Sequence, residues 1–321
     1  MNEVKRIGID AGNDTLKVCA VVNNDFKLAY IDSVYTLETD LGSNIVEVEG
    51  DVTIALGRGE HTLVNIDKTS REHMKHQILW SVYKTFGEGV HYISLVTGLP
   101  LELYKNKEKR QEYAEQLKAI GCIRGRVDGE DIIVHLQSTK VAAEGHAAIR
   151  VLSNNIDRDY QNLILDIGGG TTDGVLIEYV DGKISLQNYR SINIGVQDIF
   201  KAMQKEIIKD TGLAIAPTVL EIDRAFKREN ASIRGLKGTA NLYNCLQRES
   251  VTTVITKLLD EVQNVFAELP RLSVILIGGG STFIEKALEN HPSKEKYLST
   301  VIEIDNEKRW YANSMGYACQ A

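Results

Sequence analysis

Two stretches of this chain, residues 163–178 (LILDIGGGTTDGVLIE) and residues 7–22 (IGIDAGNDTLKVCAVV), repeat one pattern. In each, an apolar run ends in an aspartate, a glycine turn follows, and a second apolar run leads away. Laid over one another, Asp10 falls on Asp166, Gly12 on Gly168 and Thr15 on Thr171. Either stretch alone reads as a hairpin with a glycine tip. Two with the same Asp-x-Gly-x-x-Thr spacing read as an internal repeat of a phosphate-type turn. Glycine permits close backbone approach and lets the N–H groups of such a turn point inward at an anion.

A third apolar run, residues 272–277, enters Gly278-Gly279-Gly280-Ser281 and then a helical pattern with Phe283, Ile284 and Leu288. A helix N-terminus offers N–H donors and partial positive charge. The three turns together suit one polyphosphate. Thr15, Thr171, Thr172 and Ser281 add hydroxyl donors, and Lys17 can neutralise charge. Asp10 and Asp166, brought to one ligand, would repel, and a Mg²⁺ ion held largely through water removes the conflict. Mg²⁺ binds by one or two carboxylates plus substrate phosphate. That is the equipment phosphoryl transfer needs.

The remainder of the chain sets limits. A length of 321 residues allows two domains of ordinary size. A net charge of -7 opposes general attraction to nucleic acid, so no direct nucleic acid binding is expected. Cys19, Cys122, Cys245 and Cys319 lack metal-type spacing and read as reduced thiols of a cytoplasmic protein. No apolar run nears the ~20 residues of a membrane span, and no membrane role is expected. His61, His73 and His76 read as a solvated helix face in preference to a metal site, because no cysteine or carboxylate cluster completes a ligand set. Thr69 and Glu72 form a capping box before a helix through Met74, Ile78 and Val82. Residues 105–120 read as a charged amphipathic helix. Gln137 and Ser138 stand where a strand should hand over to an alanine-rich helix, and residues 301–304 read as a strand.

These motifs carry a family resemblance. The chain resembles the superfamily of actin, heat-shock chaperone and sugar-kinase ATPases. Residues 7–18 look like its first phosphate loop, residues 163–178 like the second, and VILIGGGSTFIEKAL like the adenosine motif. The resemblance implies an α/β architecture: a duplicated actin-like (ribonuclease H-like) fold, each half a mixed five-stranded sheet with helices, and two domains around a nucleotide cleft. Domain I is expected at residues 1–150 with 310–321, carrying an insert at about 23–92. Domain II is expected at 151–309, with an insert at about 195–270. It implies Asp10 and Asp166 as catalytic and metal-associated, and ATP, with GTP as the alternative, plus Mg²⁺ as cofactors. It implies nucleotide contacts at Gly12, Asn13, Asp14, Thr15, Lys17, Gly168, Gly169, Gly170, Thr171, Thr172, Asp173, Gly195, Gly278, Gly279, Gly280, Ser281 and Phe283. Gln137 resembles the polar residue that positions the attacking water. Relatives in plasmid segregation often carry Pro-Glu there; here the pair is Leu136-Gln137, and Glu144 is a second candidate.

In length, and in phrases such as LVTGLPLELY, the chain looks most like the ParM/StbA plasmid-partitioning actins. No chaperone-type peptide domain, FtsA-type amphipathic tail or MreB-type anchor is expected. The implied activity is an ATPase that assembles with itself into a helical filament, disassembles on hydrolysis, and segregates plasmid DNA through a DNA-binding adaptor protein. The alternative is a soluble small-molecule, sugar-type kinase, which would need a further catalytic aspartate beside the γ-phosphate.

Overall fold

Turn residues punctuate the first forty positions so closely that the chain must run as hairpins. The computed structural model describes residues 3–39, 42–59, 61–62 and 73–321. The chain divides into two compact units, Met1–Asn154 with Asn306–Ala321, and Asn155–Asp305.

The first unit opens with three antiparallel strands, β1 (Val4–Ala11), β2 (Thr15–Val22) and β3 (Asp25–Asp32). Between β2 and β3, Asn23 and Asn24 take positive φ, 53° and 68°, the left-handed pair a two-residue hairpin requires. Strands β4 (Val34–Thr36), β5 (Ile45–Val48), β6 (Ile54–Leu56) and β7 (His61–Thr62) follow. Next come helix α1 (Met74–Phe86) and the long strand β8 (Gly89–Leu99), then α2 (Leu101–Lys105) and α3 (Lys107–Ile120). Strands β9 (Cys122–Val127) and β10 (Glu130–Ala143) form a hairpin, and α4 (Ile149–Leu152) follows. The expected capping box at Thr69 and Glu72 lies outside the described residues.

Among the described residues ten strands join one sheet in the order β3-β2-β1-β8-β10-β9-β5-β6-β4-β7. The first five in this order form the mixed sheet that the resemblance implies: β1 and β10 flank β8 in parallel, and β2 and β3 run antiparallel. Alternation decides which residues face which layer. Ile7, Ile9, Leu16 and Val18 turn toward α1 and α3, which bury Ile78, Leu79 and Val82, and Tyr113 and Leu117. Gly8 and Cys19 turn the other way, under the closing helix Asn306–Ala318. That helix lies so near β1 that a side chain at Gly8 would run into the Ser314 carbonyl and the Ala318 amide.

The second unit begins with β11 (Asn162–Ile167), β12 (Thr172–Val180) and β13 (Lys183–Ile192), again consecutive antiparallel partners. Helices α5 (Val196–Thr211) and α6 (Val219–Phe226), the hairpin β14 (Ser232–Arg234) and β15 (Thr239–Asn241), and helices α7 (Leu242–Leu246) and α8 (Glu249–Val265) come next. Strand β16 (Ser273–Ile277) returns parallel to β11, and α9 (Ser281–Leu288) and α10 (Lys294–Leu298) follow. The order β13-β12-β11-β16 repeats β3-β2-β1-β8. The strand expected at 301–304 shrinks to one parallel bridge, Val301 to Val274. Helices α5, α7, α8 and α9 pack on the Leu163–Leu165–Ile167 face.

Candidate functional site

The repeat seen in the sequence is a repeat in geometry. In the first unit Asp10 lies near the end of β1, and the Gly12 amide closes the turn by donating to the Thr15 carbonyl at 3.1 Å. In the second, Asp166 lies near the end of β11, and the Gly168 amide donates to the Thr171 carbonyl at 2.9 Å. Among the described residues the amides of Asn13, Gly169 and Gly170 donate to nothing in the chain. They are the donors such a turn holds out for an anion.

Each turn is braced from behind. The first leans on Ser33, whose hydroxyl donates to the Gly12 carbonyl at 2.8 Å and whose amide donates to the Asp14 carbonyl at 2.9 Å. The second leans on the start of α5, where the Val196 and Gln197 amides donate to the Gly168 and Gly169 carbonyls at 3.0 and 2.9 Å. The third turn seats against it: the Gly280 amide donates to the Ile167 carbonyl at 3.0 Å. Gly278 takes φ 84°, and a side chain there would meet the Asp166 carboxylate. The second unit therefore brings Asp166, Gly168, Gly169, Gly170, Thr171, Gly278, Gly279 and Gly280 to one place.

The two aspartates stand in different settings. Asp10 lies opposite Lys17 across β1 and β2, and the Lys17 ammonium is 5.6 Å from the centre of the Trp310 ring. Asp166 lies opposite Asp173, which is buried and accepts a long bond, 3.4 Å, from the Thr171 hydroxyl. Directly opposed residues have Cβ atoms roughly 5 Å apart. That spacing of two carboxylates beside unused amides fits a divalent cation carried in on a phosphate. Among the described residues no cluster of three His, Cys, Asp or Glu forms a dedicated metal cage.

Four of the expected residues stand away from the turns or have partners of their own. Gln137 is the extra residue of a β-bulge, since the β8 register jumps from Leu136 to Ser138 there, and β10 runs on to Ala143. Bulged strands often re-aim a side chain near a site, but this one is misplaced. Gln137 stands level with Ile93 and Ser94, beside Lys5 and Arg6 of β1, whereas Asp10 follows the Ile9–Thr97–Val141 level. At ~3.3 Å per residue the gap along the sheet is about 15 Å. Glu144 instead follows the end of β10, two strands across from β1, with its amide donating to the Leu99 carbonyl at 3.0 Å. The Ser281 hydroxyl is fully buried and donates to the Gly278 carbonyl at 2.8 Å, so it closes its own turn. The Thr172 hydroxyl is likewise buried and donates to the Ile194 carbonyl at 2.9 Å. The Gly195 amide donates to the Asp198 carboxylate at 3.1 Å, and this glycine lets α5 sit against Gly169 and Gly170.

Phe283 is half-buried in an aromatic cluster, its ring 5.2 Å from Phe200 and 4.8 Å from Phe226. Sequence reasoning missed Ser33, and it missed Asn313, whose side-chain oxygen accepts from the Gly145 amide at 2.9 Å and fixes the turn behind Glu144. Ser33 belongs to no recognisable pattern in sequence.

Comparison with known proteins follows the same division. Residues 8–146 match the model of the N-terminal domain of actin-like proteins, and residues 164–290 match the C-terminal model of MreB-like archaeal actin homologues. Both compact units thus match models of actin-like proteins. It is 25% identical over 177 residues to an archaeal actin homolog of Thermoplasma acidophilum. That match covers 53% of this chain and 50% of the relative, so the chain spans about half the length of the curated relatives it matches. Solved structures share the fold over the whole chain. An archaeal actin homolog in complex with ADP superposes with a TM-score of 0.72 at 21% identity, covering 98% of this chain and 97% of that one. A 15-stranded ParM filament from Clostridium botulinum gives 0.77 at 17% identity, covering 100% of each.

Proposed function

We propose that this actin-like chain binds and hydrolyses ATP with Mg²⁺, and that nucleotide drives its assembly into filaments. The observation that carries the reading is the turn built twice, glycine amide to threonine carbonyl, each time just past a strand-end aspartate. Nucleotide in an archaeal homolog and self-assembly in a ParM relative support it. The unused amides of Gly169, Gly170 and Asn13 bind phosphate oxygens. Asp10 and Asp166 would hold Mg²⁺, which would supply neutralisation of the developing phosphate charge. Glu144 takes the role expected of Gln137 and orients the attacking water. Head-to-tail contacts between different patches of one chain give an open polymer unless the rotation closes. Plasmid segregation through a DNA-bound adaptor is the cellular use proposed for that polymer.

The test is light scattering of the pure chain on adding Mg-ATP, with phosphate release read in parallel. Scattering should rise and then decay. Asp166→Ala should abolish phosphate release. Glu144→Gln should slow it by about 10²-fold or more, the usual weight of a positioned acid or base, while Gln137→Ala leaves it within twofold. Turnover surviving Asp166→Ala refutes the site. ATP consumed only on adding a sugar, with no scattering, refutes the filament.

A further inference from the structure

The hairpin of β14 and β15 and the loop between α5 and α6 hold out the two most exposed large apolar side chains among the described residues. Leu236 is 92% exposed and Ile215 is 83% exposed. Isolated surface aliphatics are ordinary, but these two stand on neighbouring segments that are pinned together. The Lys237 amide donates to the Thr211 carbonyl at 2.8 Å, and the Gly235 amide donates to the Gly238 carbonyl at 2.8 Å. Gly235 packs directly on Thr211, and Gly212 lies against the Lys237 stem. The loop carrying Ile215 is tied at both ends: the Leu213 amide donates to the Thr211 hydroxyl, and Gln204 donates to the Pro217 carbonyl at 2.8 Å. Both side chains are thus exposed on a fixed base, without the mobility that would make their exposure incidental.

The charge around them is the reverse of the chain's. Residues 212–238 contain Arg224, Lys227, Arg228, Arg234 and Lys237 against three acids, in a chain whose net charge is -7. Two of the acids are already engaged: Glu221 caps α6 through Thr218, and Asp223 pairs with Lys227 at 2.7 Å. A basic tip bearing two aliphatic knobs matches an acidic partner, and a second copy of this chain, with net charge -7, is acidic. We infer that Leu236 and Ile215, flanked by Arg234 and Lys237, form one half of a head-to-tail contact with a second copy of this chain. Fixed aliphatic anchors with a charged rim are the arrangement of an interface core, and opposed charge steers the copies together. A bilayer is less well matched, because two short side chains fall below what stable anchoring needs. The inference rests on the assembly reading above and names its contact.

The experiment measures the protein concentration at which Mg-ATP gives scattering, for the wild-type chain, Leu236→Lys and Ile215→Lys. Each variant should need at least tenfold more protein while keeping its melting temperature and nucleotide affinity. A zero-length carboxyl–amine crosslinker applied to a mixture of ¹⁴N and ¹⁵N chains should join Lys237 to an acidic residue of the other isotope. Variants that assemble at the wild-type concentration overturn the inference and leave the assembly reading standing. Wild-type chain that floats with phosphatidylglycerol vesicles while the variants do not makes the tip a membrane contact and also overturns it. Wild-type chain that never scatters overturns the assembly reading and this inference together.

Discussion

His76 shows how one buried side chain sets a pH limit. It is 1% exposed, its Nε2 donates to the Val52 carbonyl at 2.8 Å, and its Nδ1 has no hydrogen-bond partner. Burial first, then the nearby His73, holds its affinity for a proton below the ordinary histidine value, while Val52 and Asp51 pull the other way. The unfolded chain takes up the proton near pH 6.5, before the folded chain does. Stability contributed by neutral His76 is therefore complete above about pH 6.5 and is lost as pH falls toward the lowered folded value. Each pH unit between the two values is worth about 1.4 kcal/mol. His76→Gln keeps a donor for Val52 and cannot charge. Melts at pH 7.5 and 5.5 should show a smaller loss for the variant than for the wild-type chain. Equal losses would place the sensitivity elsewhere, His91 being another ring held low by burial.

At the scale of elements, capping separates what local sequence decides from what packing decides. Thr218 and Glu221 form a reciprocal cap on α6: the Glu221 amide donates to the Thr218 hydroxyl oxygen at 3.2 Å and the Thr218 amide donates to Glu221 at 2.7 Å. Helix α6 has eight residues, too few to persist without tertiary support. Thr218→Ala should cost about 1 kcal/mol, read as a shift in denaturant midpoint with unchanged slope. No shift would mean that packing of Ile222 and Ala225 holds the helix by itself. Elements of this local kind were legible in the chain: the helix expected at 105–120, which forms as α3 from Lys107, and both Asp-Gly-Thr turns. What was not legible depends on register. Gln137 and Glu144 lie on one continuous apolar-polar stretch, and only the pairing of β10 with β8, including the bulge, shows which of them reaches the strand end. Ser281 and Thr172 have the residue type of phosphate donors, but their hydroxyls are committed to Gly278 and Ile194, partners that three-dimensional closure alone supplies. The ten-strand extent of the first sheet depends on the Val46–Val127 and Glu47–Arg126 pairing, which joins segments some eighty residues apart.

For the molecule as a whole, the duplication is unequal, and the inequality lies in how each unit is closed. The second unit is one continuous segment, Asn155–Asp305, whereas the first is completed only when Asn306–Ala321 returns to it. The returning helix places Tyr311, Met315 and Ala318 on Cys19, and its backbone on Gly8. Fully burying one such side chain contributes roughly 1.5–3 kcal/mol, so losing several removes a large part of a typical 5–15 kcal/mol stability. The Cys19 thiol is the reporter. It is fully buried, and burial, reinforced by Cys319 and Glu307, pushes its proton affinity well above the ordinary thiol range. In the intact chain a thiol reagent at pH 8 should label exposed Cys122 quickly and half-buried Cys319 more slowly. Cys19 and Cys245 should stay unlabelled until unfolding. A chain ending at Asp305 should lose protection at Cys19 but keep it at Cys245, whose burial comes from α5, α7 and α9 of the other unit. If both cysteines lose protection together, the units unfold as one and the closing helix stabilises the whole chain. If Cys19 stays protected, the strands of the first unit cover that thiol without the helix, and the close approach at Gly8 contributes nothing to its stability.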